Sequence, residues 1–160
     1  MIYIGVDPGR KGAIAIGEYG RMWLNVLLVS LPQTCEGLRT YLWSTPYDPR
    51  YAAIALEKAF IPYGEPKAGQ TDALWRNGQL AGWLEAITDV KPYIVPANTW
   101  KKAILGNGKA GKAESIAMAQ AAFPDVSLLR TKRSRKPDDN YADALCLMLW
   151  AQLNIGAKGD

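Results

Sequence analysis

Histidine is absent from all 160 residues. That gap removes the serine-histidine triad, the histidine zinc site and the histidine general base as routes to chemistry. Carboxylates, lysines and a hard divalent cation remain. Cysteine is scarce too. Cys35 and Cys146 stand 111 positions apart, each in an apolar or helical-looking stretch with no partner nearby, so neither a redox pair nor a cysteine metal site is expected. No stretch reaches the roughly 18 apolar residues of a membrane span. MIYIGVD opens on a strand-like run rather than on a basic segment followed by a long apolar one. A soluble, cytoplasmic protein with reduced thiols is expected, with no membrane association.

A chain of this length suits a single domain over residues 1–160, since about 150 residues bury roughly 70% of their unfolded surface. The net charge of +4 hides a marked asymmetry. Residues 91–137 carry ten basic side chains against two acidic ones, a local balance of +8, which leaves −4 for the remainder. A basic half beside an acidic cluster suits a protein that holds a polyphosphate while binding a cation. Lys102, Lys109, Arg133 and Arg135 in that half are candidate contacts to such a polyphosphate, although TKRSRK alone equally fits a solvated surface.

The pattern of elements follows from periodicity and punctuation. MIYIGVD, AIAIG and RMWLNVLLVS read as three strands joined by short turns, hence an antiparallel meander. Thr34 caps a helix over PQTCEGLRTYLWSTP that Pro46 ends. YAAIALE is a fourth strand, and the intervening helix permits parallel pairing. TDALWRNGQLAGWLEAITD reads as a helix with Leu74, Trp83, Leu84 and Ile87 on its apolar side and with Gly78 and Gly82 allowing close packing. KPYIVPA is a fifth strand, Asn98 a cap for NTWKKAIL, and two further helices cover KAESIAMAQAAF and DDNYADALCLMLWAQLN. The order β-β-β-α-β-α-β-α-α predicts an α/β mixed five-stranded sheet flanked by helices.

Placed on that scheme, four acids converge. Asp7 ends the first strand and Glu57 the fourth, so parallel neighbours would bring both carboxylates to one sheet edge. Asp139 and Asp143, four apart, share a helix face. Like-charge repulsion opposes such a cluster unless a cation is present. Each acid alone has a plainer explanation: Asp7 before Pro-Gly starts a turn, Glu57 pairs with a surface lysine, and the aspartates favour a helix N-terminus. Only the ordered set distinguishes chemistry from these.

That ordered set resembles a known family. A strand-terminal DPG, ALEKAF at Glu57, PANTWKKAILGNGKAGK over 96–112 and YADAL over 141–145 resemble the RuvC-type Holliday junction resolvases of the RNase H and retroviral-integrase superfamily, in a phage-like version. The resemblance spans nearly the whole chain. It implies an RNase H-like fold and a homodimeric endonuclease that cuts branched DNA at four-way junctions, leaving 5′ phosphate and 3′ hydroxyl ends. It implies two Mg²⁺ or Mn²⁺ ions per active site, about 4 Å apart, with Asp7 bridging them, Asp139 and Asp143 completing one and Glu57 the other. Lys101 and Lys112 match the family's basic residues near the scissile strand, with Lys102 and Lys109 as competitors.

The chain departs from the cellular pattern at the last helix, where position 140 is Asn and the acids are Asp138, Asp139 and Asp143. Asp139 is favoured as the ligand and Asp138 as a helix-start charge or supporting partner. Phe60 matches the family's aromatic at the junction crossover, where it can stack on an unpaired base, and Tyr63 sits beside it. A core position at the end of a strand explains Phe60 equally well. Gly9 and Gly12 are expected to let the turn after Asp7 close tightly. An actin-like ATPase and a DNA-binding module without catalysis stay open as alternatives, as does an RNase H-like or flap endonuclease. No nucleotide cofactor is expected for the resolvase.

Overall fold

The computed structural model describes residues 1–60 and 67–156. Strands β1 (Ile2–Asp7), β2 (Ala13–Tyr19), β3 (Trp23–Ser30), β4 (Ala52–Glu57) and β5 (Tyr93–Val95) form one sheet in the order β3-β2-β1-β4-β5. The first three pair antiparallel through short turns, whereas β4 lies parallel to β1, and β5 parallel to β4. The helices are α1 (Cys35–Ser44), α2 (Ala68–Thr88), α3 (Ala97–Leu105), α4 (Lys112–Ala122) and α5 (Asp139–Asn154). This is the mixed sheet that the periodicity predicts.

The two faces of the sheet differ in side-chain size, and the difference decides how the helices dock. Alternation along a strand sends Ile4, Val6, Ile14, Ile16, Ile54 and Leu56 to one side, where they pack with Leu38 and Leu42 of α1 and Leu80, Leu84 and Ile87 of α2. The other side carries Ala13, Ala15, Ala53 and Ala55 against Ala144, Leu147 and Met148 of α5. Small residues let that helix sit close. Gly5 takes this to its limit, because a Cβ there would collide with the Ala144 carbonyl oxygen and the Met148 amide nitrogen of α5.

Local chemistry sets the helix ends. Thr34 Oγ1 accepts the Gly37 N–H at 3.0 Å and caps α1, as its sequence context predicts. Asn98 does not cap α3. Pro96, whose ring presets φ, stands at the cap instead, and its carbonyl accepts the Trp100 N–H at 3.3 Å, so Asn98 falls inside the first turn. Gly78 and Gly82 also depart from expectation. A Cβ at either would meet no atom within 4 Å, so they lie on the open face of α2 and not in a packed seam. No described helix is long and apolar enough to cross a membrane.

Candidate active site

Asp7 and Glu57 are the last residues of neighbouring parallel strands, and Val6 pairs opposite Leu56, so the two acids follow side by side. Both continue the small-residue face on which α5 docks. Asp7 is buried, and its Oδ1 accepts the Gly9 N–H at 3.1 Å. Gly12 donates to the Gly9 carbonyl at 2.8 Å, and a Cβ on it would collide with the Asp7 carbonyl oxygen, so glycine is needed for this tight return. Burial, with the charges of Glu57, Asp143 and Asp139 added, pushes the Asp7 carboxyl up to about 7.

Glu57 is held at both ends. The Asn77 amide of α2 donates to its main-chain oxygen at 2.7 Å, and the Trp100 indole N–H of α3 donates to Oε2 at 2.7 Å. Burial raises the Glu57 carboxyl and Asp143 adds to the rise, while the Trp100 bond and Lys101 oppose it.

The close docking of α5 on Gly5 brings Asp143 towards the strand ends. Asp143 Oδ1 is buried with no hydrogen-bond partner, and burial raises this carboxyl as well. Asp139, one turn earlier, pairs with Lys112 of α4 at 2.7 Å. Asp138 has another task. It caps α5 through the Asn140 and Tyr141 N–H groups at 3.0 and 3.2 Å, and it binds Arg130 through two oxygens at 2.8 and 2.9 Å. Burial alone would raise Asp138, but Arg130 and the Tyr141 N–H hold it below the usual carboxylate value.

The four acids therefore act on one another while three of them are held separately, Asp7 by Gly9, Glu57 by Trp100 and Asp139 by Lys112, and Asp143 Oδ1 is left without a hydrogen-bond partner among the described residues. Among the described residues no three acidic or cysteine side chains are drawn into a ready coordination group. Their chemistry still fits a hard divalent cation. All the donors are carboxylate oxygens, Asp143 Oδ1 is buried and unpartnered, and the buried Asp7 and half-buried Glu57 and Asp143 carboxyls are all raised, a penalty on negative charge that a cation would relieve.

Phe60 is 80% exposed, which overturns the core reading of this residue. It stands between two clefts. One, of about 630 Å³, runs past Asp7, Glu57, Arg10, Asp72 and Arg76, and the other, of about 750 Å³, past Lys58, Asn98, Lys101 and Lys109. Either volume can take a nucleotide-sized group. Lys101 Nζ donates to the Ala110 carbonyl at 3.2 Å and lies over the Trp100 ring. Lys102, Arg133 and Arg135 are exposed and line neither cleft. Tyr63 lies outside the described residues.

No protein-family model matches the sequence. A search of curated proteins finds no significant match. Solved structures do match. Thermus thermophilus RuvC has a TM-score of 0.56 at 20% identity, covering 98% of this chain and 97% of its own. T. thermophilus RuvC in complex with a Holliday junction substrate has a TM-score of 0.62 at 20% identity, covering 99% and 96%. The fold is that of RuvC.

On this RuvC fold, several residues shape the site without having been evident as such in the sequence. Trp100 and Asn77 fix Glu57, and neither carries a local signal for it, since Trp100 stands between Thr99 and Lys101 and Asn77 between Arg76 and Gly78. Arg130 adds to its Asp138 pair a bond to Ser30 Oγ at 2.9 Å, a bond to the Lys11 carbonyl and a place over the Tyr141 ring. It thereby ties the basic loop to the turn after Asp7. Arg10 and Arg76 reach the acid cleft from segments that the basic stretch of residues 91–137 does not include.

Proposed function

We propose that this protein is a structure-selective endonuclease that hydrolyses DNA phosphodiesters at four-way junctions with divalent metal, leaving 5′ phosphate and 3′ hydroxyl ends. The observation that carries this reading is Asp7, buried at the end of the central strand and raised to about 7 by burial and by Glu57, Asp143 and Asp139 together. A site that concentrates negative charge beside a cleft of opposite charge suits a cation and a phosphodiester at once. RuvC in complex with a Holliday junction substrate, which shares the fold, points to branched DNA as that phosphodiester.

Asp7, Glu57, Asp139 and Asp143 would hold the metal, two Mg²⁺ or Mn²⁺ ions in this reading. Bound there, the metal would polarise the phosphate and lower the pKa of water. The rest falls to the chain. Lys112 and Lys101 would offset charge developing on the phosphate, since no histidine can. Phe60 would part the strands over its two clefts, with Lys109 gripping one phosphate backbone, and Lys102, Arg133 and Arg135 would add longer-range attraction. Symmetric cutting of a four-way junction needs two sites, hence a homodimer. The open face of α2, with Trp75 73% exposed beside Gly78 and Gly82, is where a second copy would dock.

A second reading has an observation of its own. Three of the four carboxylates have partners of their own and no metal-ready group is gathered among the described residues, as in a junction-binding protein without catalysis. Synthetic four-way, three-way, flap and RNA/DNA substrates, incubated side by side in Mg²⁺ and Mn²⁺, separate the two. Cleavage of the four-way junction into directly ligatable nicks, lost in Asp7→Asn, is expected. Binding without cleavage in either metal would favour the silent module.

A further inference from the structure

We infer that Trp100 is a positioning residue that aims Glu57. This rests on the nuclease reading above and adds a residue to it. Trp100 is fully buried in the first half of α3, yet its indole carries a donor that burial obliges to find a partner. That partner is Glu57 Oε2 at 2.7 Å, a short bond to an acceptor that is charged when ionised. Among the described residues no other side chain hydrogen-bonds to the carboxylate, so Oε1 stays unengaged.

The chemistry of the donor matters. An ammonium or guanidinium at the same place would cancel the charge of Glu57 and compete with a cation for it. An indole N–H keeps no positive charge and has no proton to give up near neutral pH, so it orients the carboxylate without neutralising it. Lys101, the next residue in the chain, carries the positive charge, but its Nζ is tied to the Ala110 carbonyl and lies over the face of the Trp100 ring. The backbone of Glu57 is fixed independently by Asn77 and by the Lys58 N–H to the Val95 carbonyl at 2.8 Å. Only the side-chain torsions of Glu57 are left to set, and Trp100 sets them.

The test replaces Trp100 by 3-benzothienylalanine, which exchanges the indole N–H for sulfur at nearly constant shape, alongside Trp100→Phe. Three quantities are read: unfolding in EDTA, Mn²⁺ binding by titration calorimetry, and single-turnover cleavage at saturating Mn²⁺. Loss of the partner that orients a ligand is expected to weaken Mn²⁺ binding about 10–100-fold and slow cleavage similarly. Junction affinity in EDTA should not change. In a Glu57→Ala background the same replacement should cause no further loss of Mn²⁺ affinity. Should the isostere bind Mn²⁺ and cut like the wild type, whatever its stability, the positioning role is overturned while the nuclease reading stands. Absence of Mn²⁺ binding and cleavage in the wild type would overturn both.

Discussion

Lys112 Nζ lies 2.7 Å from Asp139 Oδ2, joining the first residues of α4 and α5 across the mouth of the acid cluster. The carboxylate holds the ammonium charged, its pKa raised by the Asp139 bond. Lys112 is exposed, so this is not a stability contact. An exposed ammonium at the mouth, paired among the described residues only with Asp139, can turn to a phosphate when one arrives. Lys112→Met is expected to lower the single-turnover rate about 10²–10³-fold, the usual loss when one preorganised charge-stabilising donor is removed. Unfolding midpoint and junction affinity in EDTA should stay near the wild-type values. A rate within a factor of a few of wild type would transfer the role to Lys101.

Asp7 makes stability depend on pH in an unusual direction. Its carboxyl ionises at about 7 in the folded chain against 3.8 in the unfolded chain. Between those values the folded state keeps a proton that the unfolded state has released. Stability from this group is therefore full at the acid end and is lost as pH rises through 7. Glu57 and Asp143 shift in the same direction. Asp7→Asn carries no such charge, so in EDTA it should be more stable than wild type at pH 8, by roughly 4 kcal/mol at most, with the gap closing towards pH 4. Mn²⁺ should raise the wild-type unfolding temperature more at pH 8 than at pH 5.5 and do less for the variant. Urea unfolding across that range checks the sign, and a gap independent of pH would contradict it.

Much of this architecture was legible because it rests on local signals. Alternating β-branched runs, short turns and Thr34 mark the strands and α1, and the placement of Asp7 and Glu57 at strand ends follows once β1 and β4 are parallel. What escaped depends on contacts far apart in sequence. Trp100 and Glu57 are 43 positions apart and Arg130 and Ser30 are 100 apart, and nothing local to either side chain names its partner. Gly78 and Gly82 misled for the same reason, since spacing four apart shows a shared face but not whether anything covers it. Asn98 lost its cap to Pro96, where a fixed φ two residues earlier outweighs a favourable side chain.

Phe60 presents a large apolar ring to solvent between the acid cleft and the lysine cleft. Its removal leaves no cavity, so Phe60→Ala should unfold at the wild-type urea midpoint. On a four-way junction, cleavage and the distortion seen by fluorescence energy transfer between arm ends should both fall. Stacking on a single base is worth about 1–3 kcal/mol, or roughly 5–150-fold in affinity for the distorted form. Binding to plain duplex should hardly change. Equal losses on both substrates would show that Phe60 grips DNA without parting its strands.

Gly5 and Gly78 make opposite predictions from the same residue type. A Cβ on Gly5 would overlap the Ala144 carbonyl oxygen, the Met148 nitrogen and the Leu147 carbonyl carbon, all helix backbone that cannot rotate aside. In Gly5→Ala, α5 must lift from the sheet, and Asp143 travels with it. The expected destabilisation is about 1–3 kcal/mol or more. The rate should also fall in the folded fraction, because a displacement near 1 Å at a reacting group can cost about 10²-fold. In the single chain Gly78→Ala puts its Cβ into open space on a helix, where alanine is favoured over glycine by about 1 kcal/mol, so at protein concentrations too low for a dimer it should stabilise the chain. Urea titration of both variants, with cleavage measured below the onset of unfolding, tests the pair. Were Gly5→Ala to keep wild-type stability and rate, the close seating of α5 would not be what brings Asp143 to Asp7.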